Sequence, residues 1–167
     1  MGCPADIAIA ISSKKARYGR YLDTKQWDKF ASEVLLPDCK WRMCNQQGEL
    51  LVNNGVTLAW DSTADYIAYF SKLLATFDCV HMFGVGDFEQ VDADTVKATF
   101  LVEDQLVSKP LGQWVELRGG GYIFETWKLR DGEWYLQDLL LKRHYQNMSM
   151  IVRFAVFLQT KLGISLM

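Results

Sequence analysis

Histidine is scarce in this chain of 167 residues, and His81 is one of only two. The segment around it, Cys79–Val91, alternates inward and outward side chains in a way that predicts a β-strand. A histidine titrates near neutral pH, so one that lies beside a carboxylate is a candidate general base. A core histidine bonded to a neighbouring carbonyl is the alternative interpretation, and the strand pattern alone leaves both open.

Asp104 is the carboxylate that this region of the sequence predicts opposite His81. The segment Thr95–Leu106 reads as a second strand, and Asp92-Ala93-Asp94 supplies the turn of a β-hairpin. With Asp92-Ala93 as the two-residue loop, antiparallel pairing sets His81 directly opposite Asp104. The same register gives two apolar pairs: Phe83 with Val102, and Val85 with Phe100.

A second hairpin is predicted from Gly120–Lys128 and Glu133–Tyr145, with its turn at Asp131-Gly132. In its simplest register Arg143 lies opposite Gly120. A glycine at that position leaves room for the guanidinium to lie across the sheet, or for a ligand to approach. A loop or bulge at Gly119–Gly121 is the alternative, and the sequence favours neither. The register also pairs Tyr122 with Leu141 and Phe124 with Leu139.

Three helices are expected to precede these hairpins and to position them. Apolar periodicity predicts the first over Ala5–Leu22; Asp23-Thr24 would cap the second, which would end at Pro37-Asp38. Ser62–Asp65 is a capping box for the third, which would end near Phe77. Short strands at Lys40–Cys44 and Val56–Trp60 complete an α+β plan: a curved antiparallel sheet, or cone-shaped barrel, wrapped by helices around a pocket.

Composition limits the classes of function that the chain can serve. With 167 residues and 50% hydrophobic content, one domain with a sizeable core is expected. The net charge of -2, with no basic run, argues against a nucleic-acid partner. Four cysteines without disulfide or CxxC spacing, and no signal-peptide pattern, predict free thiols and a cytoplasmic protein. No metal-ligand cluster, nucleotide-binding loop or nucleophile elbow occurs, so no cofactor and no metal are expected.

The C-terminal segment, residues 147–167, stands apart from the predicted core at residues 5–146. Its stretch Met148–Leu162 is apolar almost all round but too short to span a bilayer. A helix or tail of this kind would pack on the domain or on a partner subunit, which predicts a homo-oligomer, a dimer or a trimer. Contact with a membrane surface is the weaker alternative.

The run Arg17–Asp28, RYGRYLDTKQWD, resembles the opening signature of the SnoaL-like group within the nuclear-transport-factor-type cone fold. That group includes scytalone dehydratase-type enzymes. The match extends over roughly residues 14–146, and the order and spacing of the segments carry it. The further matching segments are His81-Met82, Val102–Leu106, Gly119–Tyr122, Asp131–Tyr135 and Arg143.

The bacterial bile-acid dehydratase pattern of this family is the most similar one. Its set of a tyrosine, a helix-end aspartate, a strand histidine, a second aspartate and a late arginine falls on Tyr18, Asp23, His81, Asp104 and Arg143. Tyr18 and Asp23 are about 140° apart around a helix at about 100° per residue. Asp23 would therefore have to reach the pocket from the end of the helix.

Scytalone dehydratase itself is a weaker match, because Leu22 stands where that enzyme has a tyrosine and its second catalytic histidine has no counterpart.

The resemblance implies a pocket for a small-molecule substrate. Its expected lining is Trp41, Phe83, Val102, Tyr122, Phe124 and Leu141.

The resemblance implies cofactor-independent acid–base chemistry on a polycyclic or aromatic, carbonyl-bearing small molecule of secondary metabolism. His81 would take a proton, Asp23 would hold its tautomer, and Tyr18 and Arg143 would donate to the developing oxyanion or to the leaving hydroxyl. Asp104 would orient His81 or protonate the leaving group. A dehydratase (lyase) is the first expectation, and an isomerase or cyclase is the second. A non-catalytic ligand-binding or dimerisation module is the third.

Overall fold

The computed structural model describes residues 2–154 and shows an α+β architecture, as predicted. Three helices pack on a curved, unclosed sheet, and a further helical stretch begins at Met150, at the end of the described residues. The helices are α1 (Ala5–Asp23), α2 (Trp27–Val34) and α3 (Thr63–Ala75); the strands are β1 (Leu35–Cys44), β2 (Val52–Asn53), β3 (Val56–Thr57), β4 (Ala59–Trp60), β5 (Phe77–Phe83), β6 (Asp87–Asp92), β7 (Thr95–Ser108), β8 (Gly112–Arg130) and β9 (Glu133–Met148).

The main sheet has seven strands in the order β4-β1-β9-β8-β7-β5, with β6 also paired to β7. Strands β2 and β3 form a separate small hairpin. The sheet is mixed rather than wholly antiparallel, because β1 pairs with β9 in parallel. A parallel pair requires a long crossover connection, and here most of the chain lies between the two strands.

Both ends of the second helix differ from the prediction. Helix α2 ends at Val34, and the chain enters β1 before Pro37. Pairing of β1 with β9 shifts between Leu35 and Lys40, a region where the proline cannot donate to the ladder. Gln26, not Asp23-Thr24, is the N-cap of α2. The Ser62 capping box is confirmed, with the Ser62 side chain accepting from the Asp65 backbone amide.

The predicted Cys79–Val91 strand is split into β5 and β6, so that prediction is wrong as stated. Gly84-Val85-Gly86 separates the two strands, and Val85 is 97% exposed instead of facing Phe100. The loop is Ala93-Asp94, since Asp92 pairs with Thr95.

A register shift between Gln90 and Asp92, and a second one at the break between β5 and β6, offset that error. His81 therefore does pair with Asp104, and Phe83 with Val102, as predicted.

The second hairpin turns at Asp131-Gly132 as predicted, with both residues at positive φ (51° and 82°). Its register holds only near the turn. Shifts at Thr126/Trp127 and at Gly120/Gly121 add residues to β9, so Arg143 pairs with Gly121 and not with Gly120. The remaining predicted pairs are also wrong: Tyr122 faces Lys142, and Phe124 faces Leu140.

The inner face of the sheet, covered by the helices, forms the core. Trp41, Phe30, Trp127 and Leu136 are fully buried there. No helix within residues 2–154 is long and apolar enough to cross a bilayer. Most of the apolar C-terminal segment, residues 155–167, lies outside the described residues, so its packing stays a prediction.

Candidate active site

His81 and Asp23 form a close pair at the inner face of the sheet. The His81 Nδ1 atom lies 2.7 Å from Asp23 Oδ1. The other carboxylate oxygen of Asp23 accepts a hydrogen bond of 3.1 Å from the His81 backbone amide. One carboxylate therefore fixes both the strand position and the ring of His81.

The helix end supplies Asp23, as its spacing from Tyr18 required. Asp23 is the last residue of α1, which packs across β5. The close approach depends on Gly19, because a Cβ on Gly19 would lie 2.9 Å from the Phe83 ring. A small residue in α1 thus lets the helix lie directly on the strand that bears His81.

The pKa of His81 is raised from 6.5 to about 9. Desolvation is the largest single influence and acts to lower the pKa. The hydrogen bonds to Asp23 and Cys79, and the nearby charges of Asp104 and Asp23, together outweigh it. His81 is therefore a strong base that holds its proton at neutral pH in the resting protein.

Asp104 pairs with Arg143 rather than with the ring of His81. The Arg143 Nη2 atom lies 2.5 Å from Asp104 Oδ2, and both side chains are largely buried. Because Asp104 is directly opposite His81 in the β5–β7 register, the ion pair lies beside the His81–Asp23 pair. The structure thus brings four of the five predicted polar residues into two adjacent pairs.

The glycines of β8 make the Arg143 contact possible. Arg143 is on β9 and Asp104 on β7, so the guanidinium must cross the intervening strand. It does so over Gly119, where an added Cβ would come within 2.7 Å of Arg143 Nη1. The predicted role of a glycine as space for the guanidinium is observed, at Gly119 instead of Gly120.

Tyr18, the fifth predicted residue, is buried in the same interior. Its ring packs edge-on to Phe83, at 5.6 Å between centroids, and to Phe30. Burial raises the pKa of the Tyr18 hydroxyl well above 10. Tyr18 therefore stays protonated and can act only as a neutral hydrogen-bond donor or acceptor.

Lys15 and Glu125 form a buried ion pair that the sequence analysis missed. Both side chains are almost fully buried, and the Lys15 ammonium contacts the Glu125 carboxylate. The ammonium also lies 4.0 Å from the centre of the Tyr18 ring and 4.1 Å from that of Phe83. The periodicity of the two elements could have identified both residues. Lys15 lies three residues before Tyr18 and so on the same face of α1, and Glu125 lies between Ile123 and Trp127 in the alternation of inward residues of β8.

Four of the six predicted pocket residues lie on the inner face: Trp41, Phe83, Val102 and Leu141. Tyr122 and Phe124 do not, and that prediction is wrong. Each is 42% exposed on the outer face, because the inward positions of β8 are Ile123, Glu125 and Trp127. The extra residue in β9 at the Thr126/Trp127 shift sets Leu139 and Leu141 opposite Glu125 and Ile123, and not opposite Phe124 and Tyr122.

Two buried donors of this interior have no hydrogen-bond partner among the described residues, Trp41 Nε1 and Arg143 Nη1. Buried polar atoms are rarely left unpaired, so both are candidate contacts for substrate oxygens.

Cys79 and Lys25 border the His81–Asp23 pair. The Lys25 ammonium lies 2.7 Å from the Cys79 sulfur. Donor atoms of Asp23, Cys79 and His81 all lie within 4.8 Å of one another, which makes them the potential metal ligands among the described residues. All four cysteines are free thiols.

An open depression of about 510 Å³ lies on the outer face of the sheet. Lys97, Phe124 and Asp138 are among the residues that line it. These side chains point away from His81, so the depression is separate from the paired acid–base groups.

Comparison with known proteins agrees with this architecture. The model of the SnoaL-like domain family matches residues 7–139. The probable cyclase FGR4 of Gibberella zeae is 31% identical over 145 residues, covering 87% of this chain and 96% of that protein.

Solved structures with the same fold include a scytalone dehydratase-like protein of Novosphingobium aromaticivorans, with a TM-score of 0.66, 16% identity, and coverage of 83% of this chain and 84% of that chain. Another is the hexachlorocyclohexane dehydrochlorinase LinA-type3 of Novosphingobium barchaimii (TM-score 0.67, 16% identity, 87% and 95% coverage). At these identities the likeness establishes the fold alone. The family match over residues 7–139, with the 31% identical relative, shows that this chain belongs to the SnoaL-like domain family.

Proposed function

We propose that this chain is a cofactor-independent acid–base enzyme that removes a proton from a carbon next to a carbonyl group in a polycyclic or aromatic small molecule. The observation that carries the proposal is the His81–Asp23 pair, with Nδ1 and Oδ1 2.7 Å apart. Asp23 accepts a hydrogen bond from the Nδ1–H group, so Nε2 is the nitrogen that takes up the substrate proton.

The negative charge that forms on the substrate oxygen needs fixed donors. Arg143 is held by Asp104 through one nitrogen, and its other terminal nitrogen, Nη1, is buried and has no hydrogen-bond partner within residues 2–154. The neutral Tyr18 hydroxyl is a second donor in the same interior. Preorganised donors in a site that excludes water stabilise a developing oxyanion strongly.

Dehydration is the first outcome that we propose. Proton removal at the α-carbon gives an enolate, which expels a hydroxyl group from the β-carbon as a carbon–carbon double bond forms. The His81 imidazolium returns its proton to the departing oxygen, so one water molecule leaves and the enzyme is restored. Asp104 keeps Arg143 in place in this scheme, since its carboxylate is bound to the guanidinium.

Cyclisation is the second candidate, and the 31% identical relative named a probable cyclase favours it. The same enolate would then attack a second carbonyl of the substrate instead of expelling hydroxide. Both outcomes share the proton-removal step, so a test of that step covers both. A non-catalytic binding module would bind ligand without exchanging its protons.

The test is deuterium exchange into β-hydroxy aryl ketones in D₂O, followed by NMR, after ligands that co-purify with the protein have been identified by mass spectrometry. We expect His81→Ala to lower the exchange rate about 10²–10⁴-fold, the usual contribution of a general base. Asp23→Asn should also lower the rate strongly, because it favours the wrong tautomer. The double variant should be little worse than His81→Ala, since the two residues act as one unit.

His144→Ala is the matched control, because His144 is exposed on the outer side of β9 and stacks edge-on with Tyr122. Its exchange rate should equal that of the unmodified protein. Full exchange activity per folded molecule in His81→Ala or Asp23→Asn would end the proposal.

A further inference from the structure

Cys79 adds a third metal-binding side chain to the Asp23–His81 pair of the candidate active site, and the proposed reaction does not use it. Asp23, Cys79 and His81 each present one ligand atom, and these atoms lie within 4.8 Å of one another. A carboxylate, a thiolate and an imidazole are the side chains that bind Zn²⁺ in proteins. Hard cations such as Mg²⁺ prefer oxygen ligands alone.

The spacing is close to what a tetrahedral zinc ion needs. Bond lengths of about 2.0–2.3 Å place neighbouring donor atoms about 3.3–3.8 Å apart. Asp23 Oδ1 and His81 Nδ1 are now 2.7 Å apart and share a proton. Replacing that proton by a metal ion would require these two atoms to separate by about 0.6 Å or slightly more.

The backbone holds the three residues in place. Cys79 and His81 are alternate residues of β5, so both side chains leave the same face of the strand. Asp23 is fixed by its second hydrogen bond to the His81 amide, a support of the kind that orients metal ligands. The side chains of Asp23 and His81 are 20% and 15% exposed, which gives an ion access from solvent.

Lys25 is the competitor for this site. Its ammonium lies 2.7 Å from the Cys79 sulfur, so it competes with a metal ion for that ligand atom. A lysine side chain is flexible and strongly hydrated, so it can leave the sulfur. The ammonium and a metal ion nevertheless repel each other, so Lys25 should weaken metal binding and not prevent it.

We infer that Asp23, Cys79 and His81 form an inhibitory Zn²⁺ site. The ion displaces two groups: the Lys25 ammonium at the thiol, and the proton that Asp23 and His81 share. The inhibition rests on the proposed function, because an imidazole that binds zinc through Nδ1 carries its proton on Nε2, the nitrogen proposed as the base. The binding itself does not depend on that function.

The test is direct titration of the full chain with Zn²⁺, by calorimetry and by competition with a chromogenic chelator, under a non-thiol reductant. We expect binding of about one ion per chain that Mg²⁺ does not reproduce. Cys79→Ala should weaken it on the order of tenfold or more. Cys3→Ala is the matched control and should leave the affinity unchanged, since Cys3 is a partly buried thiol before α1, at the opposite end of that helix from Asp23.

Lys25→Gln gives the sharper result. It removes the competing charge and keeps a flexible polar side chain that is one bond shorter, so zinc should bind several-fold more tightly. Zinc affinity that is unaffected by Cys79→Ala, or that falls in Lys25→Gln, would overturn the inference.

Inhibition is read from the deuterium-exchange rate, which zinc should abolish and a chelator should restore. Zinc binding that depends on Cys79 but leaves exchange intact would support the metal site and count against His81 as the base. A protein that shows no exchange at all would count against the proposed function, while the titration would still decide the metal site.

Discussion

At the scale of single residues, the protonation of His81 decides how the proposed chemistry depends on pH. A pKa of about 9 means that only about one molecule in a hundred carries a neutral His81 at pH 7. A base of high pKa is strong, but few copies of it are free to accept a proton. The enzyme would therefore gain rate as the solution becomes more alkaline.

We predict that kcat/KM for proton exchange rises about tenfold per pH unit and levels off near pH 9. Asp23→Asn removes the hydrogen bond that raises the His81 pKa, so the remaining activity should level off at a lower pH. The measurement is a pH–rate profile of both proteins. A rate that falls with rising pH would instead identify His81 as an acid.

Lys15 and Glu125 are a second pair whose behaviour is set at the level of residues. Burial lowers the pKa of Lys15, while the Glu125 carboxylate acts to raise it. Glu125 also accepts a hydrogen bond from the Trp127 indole, at 2.9 Å, so the carboxylate has a second partner. Each charge is tolerated in the core because the other is present.

Lys15→Met should destabilise the protein by about 3–5 kcal/mol, the usual cost of leaving a buried charge unpaired. The double variant Lys15→Met/Glu125→Gln should recover much of that loss, because no buried charge remains and the glutamine still accepts from Trp127. Urea unfolding measures both. A double variant as unstable as the single one would show that the pair does not interact in this way.

At the scale of elements, two glycines of β8 make room for different neighbours: Gly119 for a side chain and Gly121 for the backbone of the adjacent strand. A Cβ on Gly119 would meet Arg143 Nη1, the end of a flexible side chain. A Cβ on Gly121 would lie 2.0 Å from the Lys142 carbonyl oxygen, which cannot move without the strand. Two glycines of one run therefore serve different purposes.

Gly119→Ala should shift the Arg143 guanidinium and lower kcat/KM at least about tenfold, with a loss of stability of about 1 kcal/mol or less. Gly121→Ala should mainly destabilise the fold, by about 2 kcal/mol or more, because β8 and β9 must separate. Paired kinetic and melting measurements test this. Equal kinetic loss per folded molecule in both variants would contradict the distinction.

At the scale of the whole molecule, the same histidine links stability to pH. The folded-state pKa of His81, about 9, lies above the value of 6.5 for an unfolded chain. Protonated His81 therefore stabilises the fold fully below pH 6.5, and that stabilisation is lost as the pH rises through 9.

The free energy of unfolding should fall by up to about 3 kcal/mol between pH 6.5 and 9.5 because of His81. His81→Gln should lack this part of the decline, and His144→Gln should keep it. Chemical unfolding at a series of pH values gives the slopes. Parallel curves for the unmodified protein and His81→Gln would show that the His81 pKa is not raised in the folded state.

The amino-acid sequence determined what depends on short-range patterns. Helical periodicity predicted α1 and α3, and turn residues predicted the Asp131-Gly132 hairpin. The pair of His81 with Asp104 was predicted correctly because two register shifts offset a misplaced loop. The candidate site residues were predicted from the family's order and spacing of motifs.

Tertiary structure decided which of these residues contact each other. Asp23 and His81 are 58 positions apart in the sequence, and Lys15 and Glu125 are 110 apart. No local sequence pattern predicts contacts at such separations. The bulges of β9 were equally invisible to alternation. One added residue exchanges the two faces of the strand that carries it, so Leu139 and Leu141 lie opposite Glu125 and Ile123, and Arg143 lies opposite Gly121. Tyr122 and Phe124 are therefore on the outer face. Which side chains share the interior was settled by long-range packing, because register depends on how the whole sheet curves around its core.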